Sequence, residues 1–279
     1  MNQTLPVVLA IAGLDPSGGA GIQADIQTLS ALNCHCTPVV STLTVQDSGK
    51  LYQSQPVSPE TLEKQLLALA ADFHFSAIKL GALGNAENAT LIAHFIQNLI
   101  KTTPSIPITL DPVIRASGGK ELSDRSLQAV LLNKIIPHCT LVTPNEPELK
   151  ALTGCETPKQ AAHQLTASGT SVLLTGGHSR NTTEQTLENQ LFSRADQVIR
   201  QKSWTLKLVD GEFRGTGCTF SSAIAAYMAQ GCKLETAIEK SQAFVSFAVK
   251  NAYALKSGQM IPQRLATPTL APAPAQTST

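Results

Sequence analysis

The sequence predicts an α/β fold, with a mostly parallel sheet carrying helices on both faces. Short apolar runs bounded by turn residues recur along the chain, and longer segments with apolar residues at helical spacing lie between them. Parallel strands need crossover connections of that kind, so the alternation selects a layered parallel sheet. Residues 6–12 open the series as a strand rather than a signal peptide. No Lys or Arg precedes the apolar stretch, and Asp15, Pro16 and two glycines follow it.

Residues 21–33 come next, with Ile22, Ile26 and Leu29 on one helical face. A strand at 38–44 precedes a helix at 59–73, where Leu62, Leu66 and Leu69 repeat. The pattern continues with strand 77–80, helix 88–101, strand 106–110 and helix 124–134, the last capped by Ser123 or Asp124. Strands at 140–142 and 171–175 complete this part. After Gly177 the character changes. Residues 181–189 are polar, and 190–193 and 197–204 read as two strands joined by a turn at 194–196. Two long helices, 217–229 and 234–254, follow. Residues 266–279 are Pro, Ala and Thr without periodicity and are expected to be disordered. With no internal linker or repeat, residues 1–265 read as one domain.

Composition narrows the function. There are 21 Lys+Arg against 20 Asp+Glu, a formal charge of +1, so no basic field points to nucleic acid. No apolar run approaches the roughly eighteen residues of a membrane helix. Six scattered cysteines without a CxxC pair suit reduced thiols and a cytoplasmic setting. The tight Cys34-His35-Cys36 triplet and the other histidines lack zinc spacing, and neither a GxSxG elbow nor an HExxH helix occurs.

Three segments carry chemistry. Gly215-Thr216-Gly217-Cys218-Thr219 opens a helix; its glycines let successive N–H groups converge, and the helix end adds positive potential. Such a concavity stabilises the charge that builds on a phosphoryl group in transfer. A thiol in a first helical turn tends toward a lowered pKa, so Cys218 is a candidate weak base; the competing reading is a tight turn with a buried small apolar residue. The loop Asp15-Pro16-Ser17-Gly18-Gly19-Ala20-Gly21 follows the first strand, where open sheets bind ligands, but matches neither a Walker A loop nor GxGxxG. Asp111-Pro112-Val113 and Thr143-Pro144-Asn145-Glu146-Pro147-Glu148 end neighbouring strands and offer hard oxygen ligands for Mg²⁺, mostly through water. Asp and Asn beside Pro are equally ordinary turn and cap residues.

Taken in order, these segments resemble the hydroxymethylpyrimidine/phosphomethylpyrimidine kinase family, a branch of the ribokinase-like kinases. The resemblance spans about residues 6–255. Its marks are Ile11 to Asp25, Thr42 to Gln46, Lys79-Leu80-Gly81, Asp111-Pro112-Val113, Thr143 to Glu148, Gly176-Gly177-His178 and the Gly-Thr-Gly-Cys segment at 215–218. It implies a three-layer ribokinase-like fold, a homodimer, and ATP with Mg²⁺ as cofactors. The implied reaction phosphorylates 4-amino-5-hydroxymethyl-2-methylpyrimidine to its monophosphate and then its diphosphate, in thiamin biosynthesis. By the same resemblance Gly215, Thr216, Gly217 and Cys218 are catalytic, with Cys218 in the general-base position. Gln46 would bind the aminopyrimidine edge, helped by Gly13, Asp15, Gly19 and Val113. Asp111, Asn145, Thr175 and Gly176 would hold the nucleotide, and Glu148 with Asn145 would organise Mg²⁺. An amide suits an aminopyrimidine because each offers a donor beside an acceptor.

The chain departs from the family pattern at three places. Ala82 stands where Met is frequent, Thr175 where Lys precedes Gly-Gly-His, and Glu212-Phe213-Arg214 where Thr-His precedes the anion hole. Arg115, Lys120 and Arg214 are candidate replacements for the missing cation. Pyridoxal kinase is the alternative enzyme, since related kinases phosphorylate a hydroxymethyl on a pyridine ring. A pyrimidine-binding protein without turnover is the non-catalytic alternative, with Thr175 as its hint.

Overall fold

A computed structural model describes residues 5–114, 122–176, 185–195, 198–255 and 258–265. Arg115, Lys120, Gly177, His178 and the tail 266–279 lie outside the described residues. β1 (Val7–Leu14) is apolar on both faces and buried along its length, as a central parallel strand must be. Leu9 and Ile11 face one helical layer, and Val8, Ala10 and Ala12 the other. α1 (Gly21–Ala31) carries the chain to β2 (His35–Gln46), which pairs parallel to β1, while β3 (Leu51–Pro56) folds back antiparallel on β2.

From there the chain crosses to the opposite side of β1. α2 (Pro59–Asp72), β4 (Ala77–Leu80), α3 (Ala86–Thr102), β5 (Ile108–Leu110), α4 (Arg125–Val130), β6 (Leu141–Val142), α5 (Glu146–Thr153), α6 (Pro158–Thr166) and β7 (Ser171–Leu174) extend the parallel sheet. β8 (Thr186–Ala195) and β9 (Val198–Lys207) close it as an antiparallel ribbon, before α7 (Thr216–Ala229) and α8 (Leu234–Lys250). The nine strands run β3-β2-β1-β4-β5-β6-β7-β8-β9. The reversal of strand order lies between β1 and β4, and open α/β sheets bind ligands outside the carboxyl ends of strands at such a point.

Helices α2 to α6 pack one face through Leu62, Leu66, Ile92, Ile96, Leu127, Leu149 and Leu165. Helices α1, α7 and α8 cover the other through Ile22, Leu29, Ala225, Ile224 and Ile238. The predicted three-layer α/β fold is therefore present. Asp124 rather than Ser123 caps α4, accepting from Leu127 N at 2.8 Å, and a π-type turn continues that helix to Ile135. α3 starts earlier than expected because Asn85 caps it; Asn88 is instead buried, donating to Ser41 O and Val57 O. α8 ends at Lys250, not at 254. β3, α5 and α6 have no counterpart in the sequence reading. Among the described residues no helix is long and apolar enough to cross a membrane.

The last described segment is pinned to the sheet edge by Arg264, which is 1% exposed. Its guanidinium donates to Thr219 Oγ1 at 2.7 Å, Gln27 Oε1 at 3.1 Å and Gly19 O at 2.6 Å. Arg264→Ala leaves those acceptors buried and unpaired, so urea unfolding should show a loss of about 3 kcal/mol. A loss below about 1 kcal/mol would mean the clamp contributes little.

Candidate active site

α7 begins at the carboxyl edge of the sheet without a side-chain cap. Gly215, the N-cap residue, sits in the left-handed region at φ 74°, and a Cβ there would overlap the carbonyl oxygen of Gly19. The turn therefore demands glycine, and among the described residues no side chain caps the first amides of α7. They open on a cleft of about 1450 Å³ lined by Gly13, Asp15, Gln46, Asp111, Val113, Asn145, Glu148, Thr175 and residues 214–218, among others. Orphan N–H groups at a helix start form an anion-binding site.

Beneath this turn lies a cluster of buried charge. Lys79 is fully buried, with Nζ 2.8 Å from Asp25 Oδ1. Burial alone would lower its pKa, but Asp25, Cys218 and Asp111 together hold it above the ordinary value. Ser222 donates to the same Asp25 at 2.7 Å. Burial raises the Asp111 pKa; Lys79 opposes this, Asp25 adds to it, and a hydrogen bond with Cys218 draws it back. A Cβ at Gly217 would stand 3.6 Å from Asp111 Oδ2, so this carboxylate sits directly beside the helix start.

Cys218 does not follow the helix-terminus expectation. Burial pushes its thiol up to about 12, Lys79 lowering it and Asp111 and Asp25 raising it further. At neutral pH it is a thiol within the field of Asp111 and Lys79, because desolvation outweighs the helix end.

Asn145 and Glu148 form a reciprocal capping box on α5. Glu148 N donates to Asn145 Oδ1 at 2.9 Å, and Asn145 N donates to Glu148 Oε2 at 3.0 Å. The Asn145 oxygen expected to serve nucleotide and metal is thus spent on the helix. Burial, then Asp111, pushes the Glu148 pKa up to about 8. The half-buried Glu148 beside the buried Asp111 is a carboxylate that a divalent cation would relieve, so Glu148 fits Mg²⁺. Among the described residues no group of three or more His, Cys, Asp or Glu could hold a metal. The ion would need water and nucleotide oxygens to complete its shell.

Other expected contacts are structural. Asp15 accepts from Ser17 N and Oγ, from Ala20 N and from Arg214 Nε at 2.8 Å, which leaves it no capacity for substrate. Gly19 lies under the Arg214 stem, where a Cβ would stand 2.6 Å from Cδ, and it does not line the cleft. Gly176 spends its N–H on Asn189 Oδ1 and lies too close to Glu188 O to carry a side chain, so it does not reach the cleft either. Gly13 and Val113 do line it. Thr175 lines it too, bonded to Pro144 O through its N–H. Arg214, expected as a cation for ATP phosphates, is instead paired with Asp15 and donates to Gln46 Oε1. Lys79, Asp25 and Arg264 carry no chemical role in the sequence reading. The Lys-Leu-Gly segment and the Gln-Ala-Asp end of the first motif were the signals for the first two.

A doubly wound sheet with an uncapped helix start at its switch point, set over buried carboxylates, is the architecture of a ribokinase-like small-molecule kinase. Residues 15–263 match the profile of phosphomethylpyrimidine kinase. The chain is 33% identical to the hydroxymethylpyrimidine/phosphomethylpyrimidine kinase of Haemophilus influenzae, over 90% of this chain and 93% of that one. Among solved structures it is similar to the ADP complex of Bacillus subtilis pyridoxal kinase, at TM-score 0.80 and 26% identity over 94% of this chain and 98% of that one. It is also similar to phosphomethylpyrimidine kinase from Clostridium difficile, at TM-score 0.71 and 26% identity over 88% and 99% of the two chains. The chain belongs to the phosphomethylpyrimidine kinase family.

A thiol pushed up to about 12 should resist alkylation. Iodoacetamide labelling followed by mass spectrometry at pH 8 should show Cys218 carrying about 1000-fold less thiolate reactivity than an ordinary cysteine. Labelling at the ordinary rate would show that the helix end prevails over burial.

Proposed function

We propose that the protein transfers the γ-phosphoryl of ATP to the hydroxymethyl oxygen of 4-amino-5-hydroxymethyl-2-methylpyrimidine, and then phosphorylates the monophosphate. The observation that carries this is the uncapped start of α7 beside Cys218 and Asp111 at the sheet's switch point. The free amides at 216–218 stabilise the phosphoryl group as charge collects on its equatorial oxygens. A loose transition state asks little of a base, so a neutral thiol can serve as a relay. The alcohol proton passes to the Cys218 sulfur as the thiol proton moves to Asp111, whose raised pKa suits it to receive one. The new O–P bond forms as the bond to the ADP oxygen breaks. Mg²⁺, held by Glu148 with water and nucleotide oxygens, would neutralise phosphate charge.

In this reading residues 1–265 act as one kinase domain in the cytoplasm, as a homodimer. Exposed Leu43, Val45 and Tyr52 on the β2–β3 hairpin give an apolar face for a second copy. The likeness to solved pyridoxal kinases favours pyridoxal as a second acceptor to test.

ATP consumption with the hydroxymethylpyrimidine, its monophosphate and pyridoxal separates these readings; pyrimidine binding without ADP release would overturn the kinase. Gly217→Asp sets a second carboxylate beside Asp111 and should lower kcat by at least about 100-fold while the unfolding midpoint stays close to wild type. Gln46→Ala should weaken pyrimidine binding, measured by calorimetry, by about 1–3 kcal/mol. Unchanged affinity would remove Gln46 from the site.

A further inference from the structure

Gln46 ends β2 at the mouth of the cleft, and both ends of its amide are held by groups that can act in one sense only. Arg214 donates to Oε1, and a guanidinium has no acceptor with which to meet the amide nitrogen instead. Gln46 Nε2 donates to Thr44 Oγ1 at 2.7 Å. Thr44 has already given its one hydroxyl proton to Leu14 O at 2.7 Å, so its oxygen can only accept. An amide with oxygen and nitrogen exchanged would face donor to donor and acceptor to acceptor. Arg214 is itself fixed, 2% exposed, with Nε on Asp15 and its stem over Gly19. One oxygen lone pair and one N–H of Gln46 remain for the cleft. Arg214 lines the same cleft, and its Nη1 is buried without a partner among the described residues, leaving a further donor beside the amide.

We propose that Arg214, with Thr44, fixes the order of donor and acceptor that Gln46 presents, and so selects a ring bearing an exocyclic amine next to a ring nitrogen over its oxo counterpart. This rests on the reading of the cleft as a pyrimidine site. An aminopyrimidine offers N–H to the Gln46 oxygen and a ring nitrogen to its N–H. The 4-oxo ring, with a carbonyl beside a ring N–H, offers the reverse and meets like groups. A free amide could rotate to suit either ring; a clamped one cannot. Arg214 acts through Gln46 and is a positioning residue for specificity.

The test compares equilibrium binding of 4-amino-5-hydroxymethyl-2-methylpyrimidine with that of its 4-oxo counterpart. The proteins are wild type, Thr44→Val, Arg214→Lys, and Arg214→Leu combined with Asp15→Asn so that no carboxylate is left unpaired. Thermal unfolding reports whether each variant is folded. The amino-to-oxo preference should fall on the order of 10-fold in Thr44→Val and in the double variant, and stay nearer wild type in Arg214→Lys, which keeps a donor. Equal weakening toward both rings, or an unchanged ratio in folded variants, overturns the inference. Wild-type turnover is measured separately. Binding with the predicted ratios but no phosphorylation would overturn the kinase reading and leave the specificity clamp standing, whereas binding of neither ring would overturn both.

Discussion

The backbone of Gly215 lies against the carbonyl of Gly19 with no room for a side chain, and the rest of the site follows from that contact. It brings the start of α7 onto the loop that leaves β1, so the free amides of one element face the end of the other. Two buried arginines hold the contact from either side. Arg214 spans to Asp15 on the β1 loop, and Arg264 donates to the Gly19 carbonyl and to Thr219 in α7. Neither replaces the close approach, because a helix start even a side chain's width away would point its amides at solvent. Side chains clamp what the glycines first allow to touch.

The same packing buries three carboxylates, Asp15, Asp25 and Asp111, among three cations, Lys79, Arg214 and Arg264, around the start of α7. Asp15 and Arg214 neutralise each other, as do Asp25 and Lys79. Burial raises both Asp111 and Glu148, with Asp25 adding to the rise at Asp111 and Asp111 to that at Glu148. Such pairs seldom add stability, since desolvation offsets the Coulomb attraction. Their use is positional. Lys79 stands within the field of Asp25, Asp111 and Cys218 at once and sets which of them carries charge.

The layers of this fold were legible because burial in a parallel sheet writes itself as apolar runs, and β1, α1, α2 and β4 each satisfy that rule over several residues. β3 escaped because only Leu51 of its six residues is buried. α5 escaped for a chemical reason: Asn145 and Glu148 form its capping box, and the same oxygens that cap a helix read as metal ligands when the partner amides cannot be seen. Asp15 and Gly176 show the same ambiguity, since the groups that would meet a ligand bond Ser17, Ala20 and Arg214 in the one and Asn189 in the other. Arg214 and Asp15 are 199 residues apart, and Arg264 and Gly19 are 245 apart, so no local pattern could pair them. What local pattern did reveal was the glycine-rich helix start, where one short segment suffices to make the chemistry.

The start of α7 and the pair Asp111 and Glu148 line one cleft but suit different parts of a ligand. Orphan amides at a helix start suit an anion, whereas carboxyl groups raised by burial, as Asp111 and Glu148 are, hold protons that a cation would displace. A phosphate group carried with a divalent cation would suit both, the cation meeting the carboxyl groups and the phosphate the amides. Free phosphate or metal-free nucleotide satisfies only one. Because Asp111 and Cys218 lie within one another's field, a charge placed beside Asp111 would be felt at the thiol, and the two ends of the cleft are electrostatically one site.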